Sequence, residues 1–166
     1  MRQVDVLLID DNQSDIKLTL HVMNEENPSR RVHVIRDGEE AMSFILGQHK
    51  QDAAHKSTLG LVLLDLKLPK LNGFEILQAL RQQSDFKTLP VVVLSSSNQD
   101  RDVNRSYELG ANGYVQKPVD FDTFRTVIRR IVAYWLDTNL TPLIALPKEP
   151  SPSRNGVIEV VEPTSN

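Results

Sequence analysis

The chain has 166 residues, 40% of them hydrophobic and 25% charged, with a formal net charge of -3; this is enough chain for one domain with a sizeable core plus a tail. The slight acid excess removes any electrostatic basis for non-specific binding to nucleic acid or to an anionic membrane. The absence of cysteine excludes disulfides, thiolate metal sites and cysteine nucleophiles. No apolar signal-type segment follows the N-terminus and no apolar run reaches the roughly 18 residues of a membrane span, so a soluble, cytoplasmic protein is expected.

Short runs rich in Val, Ile and Leu alternate with longer stretches of helical period, the pattern of an α/β domain with a parallel sheet. In chain order the predicted strands are Val4 to Ile9, Arg31 to Arg36, Gly60 to Leu64, Val91 to Leu94 and Gly113 to Gln116. The helices between and after them fall at Gln13 to Glu26, Gly38 to Leu46, Gly73 to Gln83, Asp100 to Leu109 and Phe121 to Leu136. Ile16, Leu20 and Met23 mark the apolar face of the first helix. Phe124, Val127, Ile128, Ile131, Val132 and Trp135 mark that of the last. Gly47 to Leu59 reads as a polar loop, whose His49, Lys50, His55 and Lys56 have neither the spacing nor the company of metal ligands. Past Trp135 the composition changes: Pro142, Pro147, Pro150, Pro152 and Pro163 are five of the nine prolines. Residues 138–166 are therefore expected as an extended, Pro-rich tail behind a domain of residues 1–137. Within that tail GVIEVVEP has the makings of a short strand.

In open parallel sheets ligands sit outside the carboxyl ends of the strands, so the residues following each strand carry the chemistry. They are Asp10 and Asp11 after the first, Asp65 after the third, Ser95 and Ser96 after the fourth, and Lys117 with Pro118 after the fifth. A carboxylate ending the buried run GLVLL is costly unless it is paired or metal-bound. Three carboxylates together repel one another and hold their charge only beside a cation. A hard divalent ion with oxygen ligands suits them, Mg²⁺ best, because it binds through one or two carboxylates and keeps water for a phosphate. As single residues, Asp11 or Asn12 also serve as N-caps of the first helix. Lys117 adds an ammonium and Ser95 a hydroxyl on the same edge. The set describes a nucleophilic carboxylate flanked by a metal ion, a hydroxyl and a cation, suited to accepting a phosphoryl group.

The ordered pieces IDDN, LLDLKLPKLNGFEIL, LPVVVLSSS and GANGYVQKP resemble the receiver domains of two-component response regulators over about four fifths of the chain. The resemblance implies a doubly wound, flavodoxin-like fold with five parallel strands in the order 2-1-3-4-5. It implies a phosphoacceptor at Asp65, supplied by a phosphohistidine of a sensor histidine kinase. It further implies Mg²⁺ ligation by Asp10, Asp11, Asp65 and the backbone carbonyl of Lys67, with Asp10 acting mainly through a bound water. Ser95 and Lys117 take the places of the phosphate-contacting hydroxyl and lysine, and Tyr114 that of the switch aromatic. Lys67 and Ser97 occupy the positions that tune phosphoryl lifetime, and the Lys117–Pro118 bond is expected to be cis.

The segment IVAYWLDTNLTPLIALP, with the Gly47 to Leu59 insertion and SYELGAN, is similar to single-domain regulators that partner bacterial and cyanobacterial phytochromes. That narrower likeness implies a phytochrome-type kinase and a homodimer through helix four, strand five and helix five, aided by the C-terminal extension. Tyr134 and Trp135 are candidates for this interface, and Trp135 equally for the core. No output domain follows, so the expected action is phosphorylation-switched protein contact, with no enzyme turnover beyond self-phosphorylation and self-dephosphorylation. Two alternatives stand beside it: a haloacid-dehalogenase-like phosphatase, which needs a second acid where Lys67 stands, and a scaffold that never carries phosphate. A nicotinamide-binding enzyme is a weaker reading still, since the DDNQSD turn is not glycine-rich and its two acids would repel a pyrophosphate.

Overall fold

The computed structural model describes residues 5–47, 58–142, 144–145 and 159–161. Five parallel strands form the body of the sheet: β1 (Asp5–Ile9), β2 (Val32–Ile35), β3 (Thr58–Leu64), β4 (Val91–Ser95) and β5 (Gly113–Gln116). Their spatial order is β5-β4-β3-β1-β2, with Val6 beside Val32, Leu8 beside Leu63, and Leu64 beside Val93. This is the 2-1-3-4-5 order expected from the resemblance.

The strand sequences are continuous apolar runs because both faces are covered. Leu7, Ile9, Val62, Leu64, Val91 and Val93 face α2 (Gly38–Ile45) and α3 (Gly73–Gln82). Val6, Leu8, Leu61, Leu63, Val92 and Leu94 face α1 (Gln13–Glu26) and α5 (Phe121–Val132). On α5 the repeat of Phe124, Ile128, Ile131 and Val132 is buried; each such side chain contributes roughly 1.5–3 kcal/mol on leaving water. Helix α4 (Asp100–Glu108) differs from the others, since Ser106 is its one buried residue. Among the described residues no helix is long and apolar enough to cross a membrane.

Three expectations need correction. The last helix does not run as one α-helix to Leu136: α5 ends at Val132 and continues as a wider π-helical turn over Ala133–Thr138, closed by the Thr138 hydroxyl donating to the Ala133 carbonyl at 2.7 Å. The wider turn lets Trp135 and Leu136 lie against the α1/α5 core while Tyr134 stays half exposed. The third strand begins at Thr58, before the predicted Gly60, because β6 (Ile144–Ala145) pairs antiparallel with Thr58 and Leu59. The tail is not simply extended either. Glu159–Val161, inside GVIEVVEP, forms β7 and pairs antiparallel with β2, so the outer edge of the sheet finds hydrogen-bond partners. Val4 and most of the polar loop, including His49, Lys50, His55 and Lys56, lie outside the described residues.

Candidate functional site

Parallel strands deliver their last residues to one edge. β1 delivers Asp10, whose amide donates to the Ile35 carbonyl at 3.0 Å, and β3 delivers Asp65, whose amide donates to the Ile9 carbonyl at 2.9 Å. Both carboxylates are therefore fixed by the sheet ladder itself, and both are buried. Asp11, next along, is exposed. One oxygen from each of Asp10, Asp11 and Asp65 falls within 4.8 Å of the others, the spread of a single ion's ligand shell. The α1 cap falls to Asn12, whose side-chain oxygen accepts from the amides of Ser14 and Asp15 at 3.0 and 3.1 Å. The two aspartates of the opening turn are thereby left for other work.

Behind Asp65 the chain turns tightly into α3. Gly73 packs so close that a Cβ there would lie 2.4 Å from the Asp65 carbonyl oxygen; any side chain at this position would displace the turn that aims Asp65. The Lys67 amide donates to Asp65 Oδ1 at 3.2 Å, and the Lys67 side chain is exposed.

From the far side of the sheet β5 delivers Lys117, whose amide donates to the Ser95 carbonyl at 2.7 Å. Its ammonium reaches Asp10 Oδ2 at 2.7 Å, Asp65 Oδ2 at 2.9 Å and Asp15 Oδ2 at 2.9 Å. The Lys117–Pro118 bond is trans, as no cis peptide bond occurs among the described residues, which corrects the expectation at Pro118. Trans is the intrinsically preferred isomer of an X-Pro bond by about 0.5–1 kcal/mol, and the ammonium meets its carboxylates without the alternative.

The electrostatics of this corner are out of balance. Burial pushes the Asp10 carboxyl up to about 6, despite the opposing pull of Lys117 and of the Asn12 amide, with Asp65 adding repulsion. Burial also works against the charged form of Lys117, yet the carboxylates of Asp10 and Asp65 and the hydrogen bonds to Asp10 and Asp15 outweigh it and raise the ammonium above its ordinary value. One lysine serves several acids, and an additional cation is what the donor set lacks. Three oxygen-only ligands of this kind fit a hard divalent ion.

On the β4 side Ser95 is fully buried, and its hydroxyl oxygen accepts from the Ser97 amide at 3.2 Å. Ser97 in turn donates its hydroxyl to Asp102 of α4 at 2.6 Å, and its carbonyl accepts from the Tyr114 hydroxyl at 2.9 Å. Tyr114 packs partly buried against the α2/α3 core. The structure thus brings Asp10, Asp11, Asp65 and Lys117 together, and ties Ser95, Ser97 and Tyr114 into one chain leading to α4. Sequence reasoning missed Asp15 and Asp102. An acid in the first turn of a helix is what the helix dipole favours in any case, and each of these has that ordinary reading.

Comparison with known proteins agrees with the geometry. Residues 6–129 match the model of the response regulator receiver domain. Response regulator Rcp1 of Synechocystis sp. is 34% identical over 137 residues, covering 82% of this chain and 92% of Rcp1. The structure of the phosphorylated cyanobacterial phytochrome response regulator RcpA superposes with a TM-score of 0.78 at 33% identity, covering 85% of this chain and 99% of that one. The Mn²⁺-bound form of Rcp1 superposes at 0.75 with 34% identity, covering 84% and 99%. The chain belongs to the response regulator receiver domain family.

Proposed function

We propose that Asp65 is the phosphoacceptor of a single-domain response regulator spanning residues 1–137, with residues 138–166 as an appendage. The observation that carries this reading is the Lys117 ammonium held 2.9 Å from the Asp65 carboxylate on a buried strand end. Asp65 Oδ attacks the phosphorus of a phosphohistidine; the P–O bond forms as the P–N bond breaks, and the departing imidazole takes up a proton. The negative charge on the transferred group meets Lys117 and, after a rotation, the Ser95 hydroxyl. Asp10, Asp11, Asp65 and the Lys67 carbonyl would hold Mg²⁺, which supplies charge neutralisation for the incoming phosphoryl oxygens. Lys67 and Ser97 flank the site where they bear on water access and hence on phosphoryl lifetime.

Switching follows from the chain of contacts on the β4 side. Engaging Ser95 with phosphate costs its bond to the Ser97 amide, and Ser97 is joined to Tyr114 and to α4 through Asp102. With one buried residue, α4 is the element that gives way. The face of α4, β5 and α5 carries Tyr107 and, just beyond α5, Tyr134, each half exposed, and serves as the partner and homodimer surface. β7 of the C-terminal segment lies at the opposite, β2 edge of the sheet, so the extension expected to aid this face does not do so through β7. The likeness to RcpA, a cyanobacterial phytochrome response regulator, supports a phytochrome-type sensor histidine kinase as donor, and a cytoplasmic site of action goes with that reading. Lys67 offers no carboxylic acid for general acid chemistry, which leaves the phosphatase alternative without a proton donor.

Acetyl phosphate with Mg²⁺ is expected to label the protein, with labelling lost in Asp65→Asn and on chelation. Wild-type protein that takes up no label under these conditions would leave the scaffold reading in its place. Phosphotransfer from a panel of the source organism's histidine kinases tests the phytochrome assignment, and transfer confined to a kinase of another class would reject it.

A further inference from the structure

We infer that Asp15 is a positioning residue that holds the Lys117 ammonium in place through phosphoryl transfer; the inference rests on the reading of Asp65 as phosphoacceptor. An ammonium has three donors and no acceptor. All three are matched in the structure, by Asp10 at 2.7 Å and by Asp65 and Asp15 at 2.9 Å each. Two of these partners are committed elsewhere during the reaction. Asp10 would be drawn to a bound Mg²⁺, and Asp65 gives up a carboxylate oxygen to the new bond with phosphorus. Asp15 has neither commitment, so its hydrogen bond to the ammonium can persist from start to finish.

The position of Asp15 suits that role. It lies in the first turn of α1, with its amide held by the Asn12 side chain at 3.1 Å, so its carboxylate stands on a rigid, capped helix. Its side chain is 24% exposed against 3% for Asp10 and 8% for Asp65, which puts it on the solvent side of the ammonium. A lysine has four rotatable bonds; with Asp10 engaged by an ion, Asp15 and Asp65 would hold its tip while the donor approaches, and Asp15 is the one of the two that does not react. An acid required only by the helix dipole would need no partner 102 residues away.

The experiment compares wild type with Asp15→Asn, Asp15→Glu, Lys117→Ala and the double variant Asp15→Asn/Lys117→Ala. Labelling by acetyl phosphate with saturating Mg²⁺ is read as maximal rate and half-saturating concentration, and Mg²⁺ affinity is measured by calorimetry without phosphodonor. For Asp15→Asn the maximal rate is expected to fall about five- to tenfold with half-saturation little changed, as for a lost orienting contact. Mg²⁺ affinity is expected to stay within about threefold, since Asp15 is not a ligand, and Asp15→Glu to recover part of the rate. In metal-free protein the Lys117 ammonium protons are expected to exchange faster with solvent in Asp15→Asn, as seen by NMR. With Lys117 already removed, Asp15→Asn should cost nothing more, because a residue acting through another loses its effect with it. An undiminished rate in Asp15→Asn, or an equal loss in the Lys117→Ala background, overturns the inference. If wild type itself takes no label, the Asp65 reading fails and Asp15 with it; if wild type labels and Asp15→Asn labels alike, only the positioning role falls.

Discussion

Strand β1 carries a buried carboxylate at each end, and the two are treated in opposite ways. Asp5, at its start, is fully buried between Arg31 and His33: Arg31 Nε lies 3.3 Å and its Nη2 3.2 Å from the two carboxylate oxygens, and His33 Nε2 lies 3.1 Å away. One acid there has a guanidinium and an imidazole to itself. At the other end Asp10 shares a single ammonium with Asp65 and Asp15, with Asp11 close by. The first cluster is closed, and the second is short of positive charge. Burying an ion pair is seldom a net gain, but a complete one is self-consistent, whereas an incomplete one holds its place only if something outside the chain completes it. The same strand therefore separates a structural use of buried charge from a functional one.

Removing the acid should have opposite signs at the two ends. Asp5→Ala leaves Arg31 without its buried carboxylate and, among the described residues, leaves His33, whose Nδ1 has no hydrogen-bond partner there, without its partner at Nε2. The expected loss is roughly 3–5 kcal/mol of folding stability, measured by urea unfolding, while the molecules that remain folded still label on Asp65. Asp10→Asn relieves repulsion: in metal-free protein at pH 8 it is expected to stabilise the fold by roughly 1–3 kcal/mol. The sign follows from the Asp10 carboxyl, pushed from 3.8 to about 6 by burial. Between about pH 4 and 6 the folded state binds more proton than the unfolded chain, so the stability contributed by this group is present below pH 4 and lost as pH rises through 6. The amide removes that slope. Mg²⁺ should then stabilise wild type and not Asp10→Asn, and a destabilised metal-free Asp10→Asn would dismiss the account of the site as short of a cation.

This contrast also marks what the sequence discloses. Asp10, Asp11, Asp65 and Lys117 were legible because each ends an apolar strand, and a charge in that place has few ordinary explanations. The five-strand body and its helices were legible because their periods are long and uninterrupted. Asp5 was not, since it sits inside the predicted strand VDVLLI and its partners Arg31 and His33 are supplied by pairing of β1 with β2. Asp15 and Asp102 were masked by the ordinary preference of helix first turns for acids. Of the tail strands, β7 was legible as an option within GVIEVVEP, while β6 was hidden because it is two residues long; a run so short is stabilised by the edge it joins and carries little periodicity of its own. The trans Lys117–Pro118 bond departs from the cis form that the family pattern implied at Pro118.

The smallest expected effect comes from the tail, and it bears on the closed end of the sheet. β7 pairs Val161, Val160 and Glu159 with Val32, His33 and Val34, so it covers the backbone edge of the strand that carries His33. Truncation after Pro142 removes β6 and β7 and should cost about 1 kcal/mol, a fall of roughly 2–5 °C in Tm, because the three residue pairings of β7 and the two of β6 are exchanged for water and the buried residues of the two main cores lie outside the removed segment. The bared β2 edge should also promote self-association at high concentration, detectable by light scattering. The Asp10 end should not notice: Mg²⁺ affinity is expected to stay within about twofold, since among the described residues the contacts at Asp10, Asp65 and Lys117 come from α1 and the ends of β1, β3 and β5. A larger shift in Mg²⁺ affinity on truncation would mean that the edge pairing of β2 reaches through β1 to Asp10, and the two ends of the strand would then have to be treated as one coupled system.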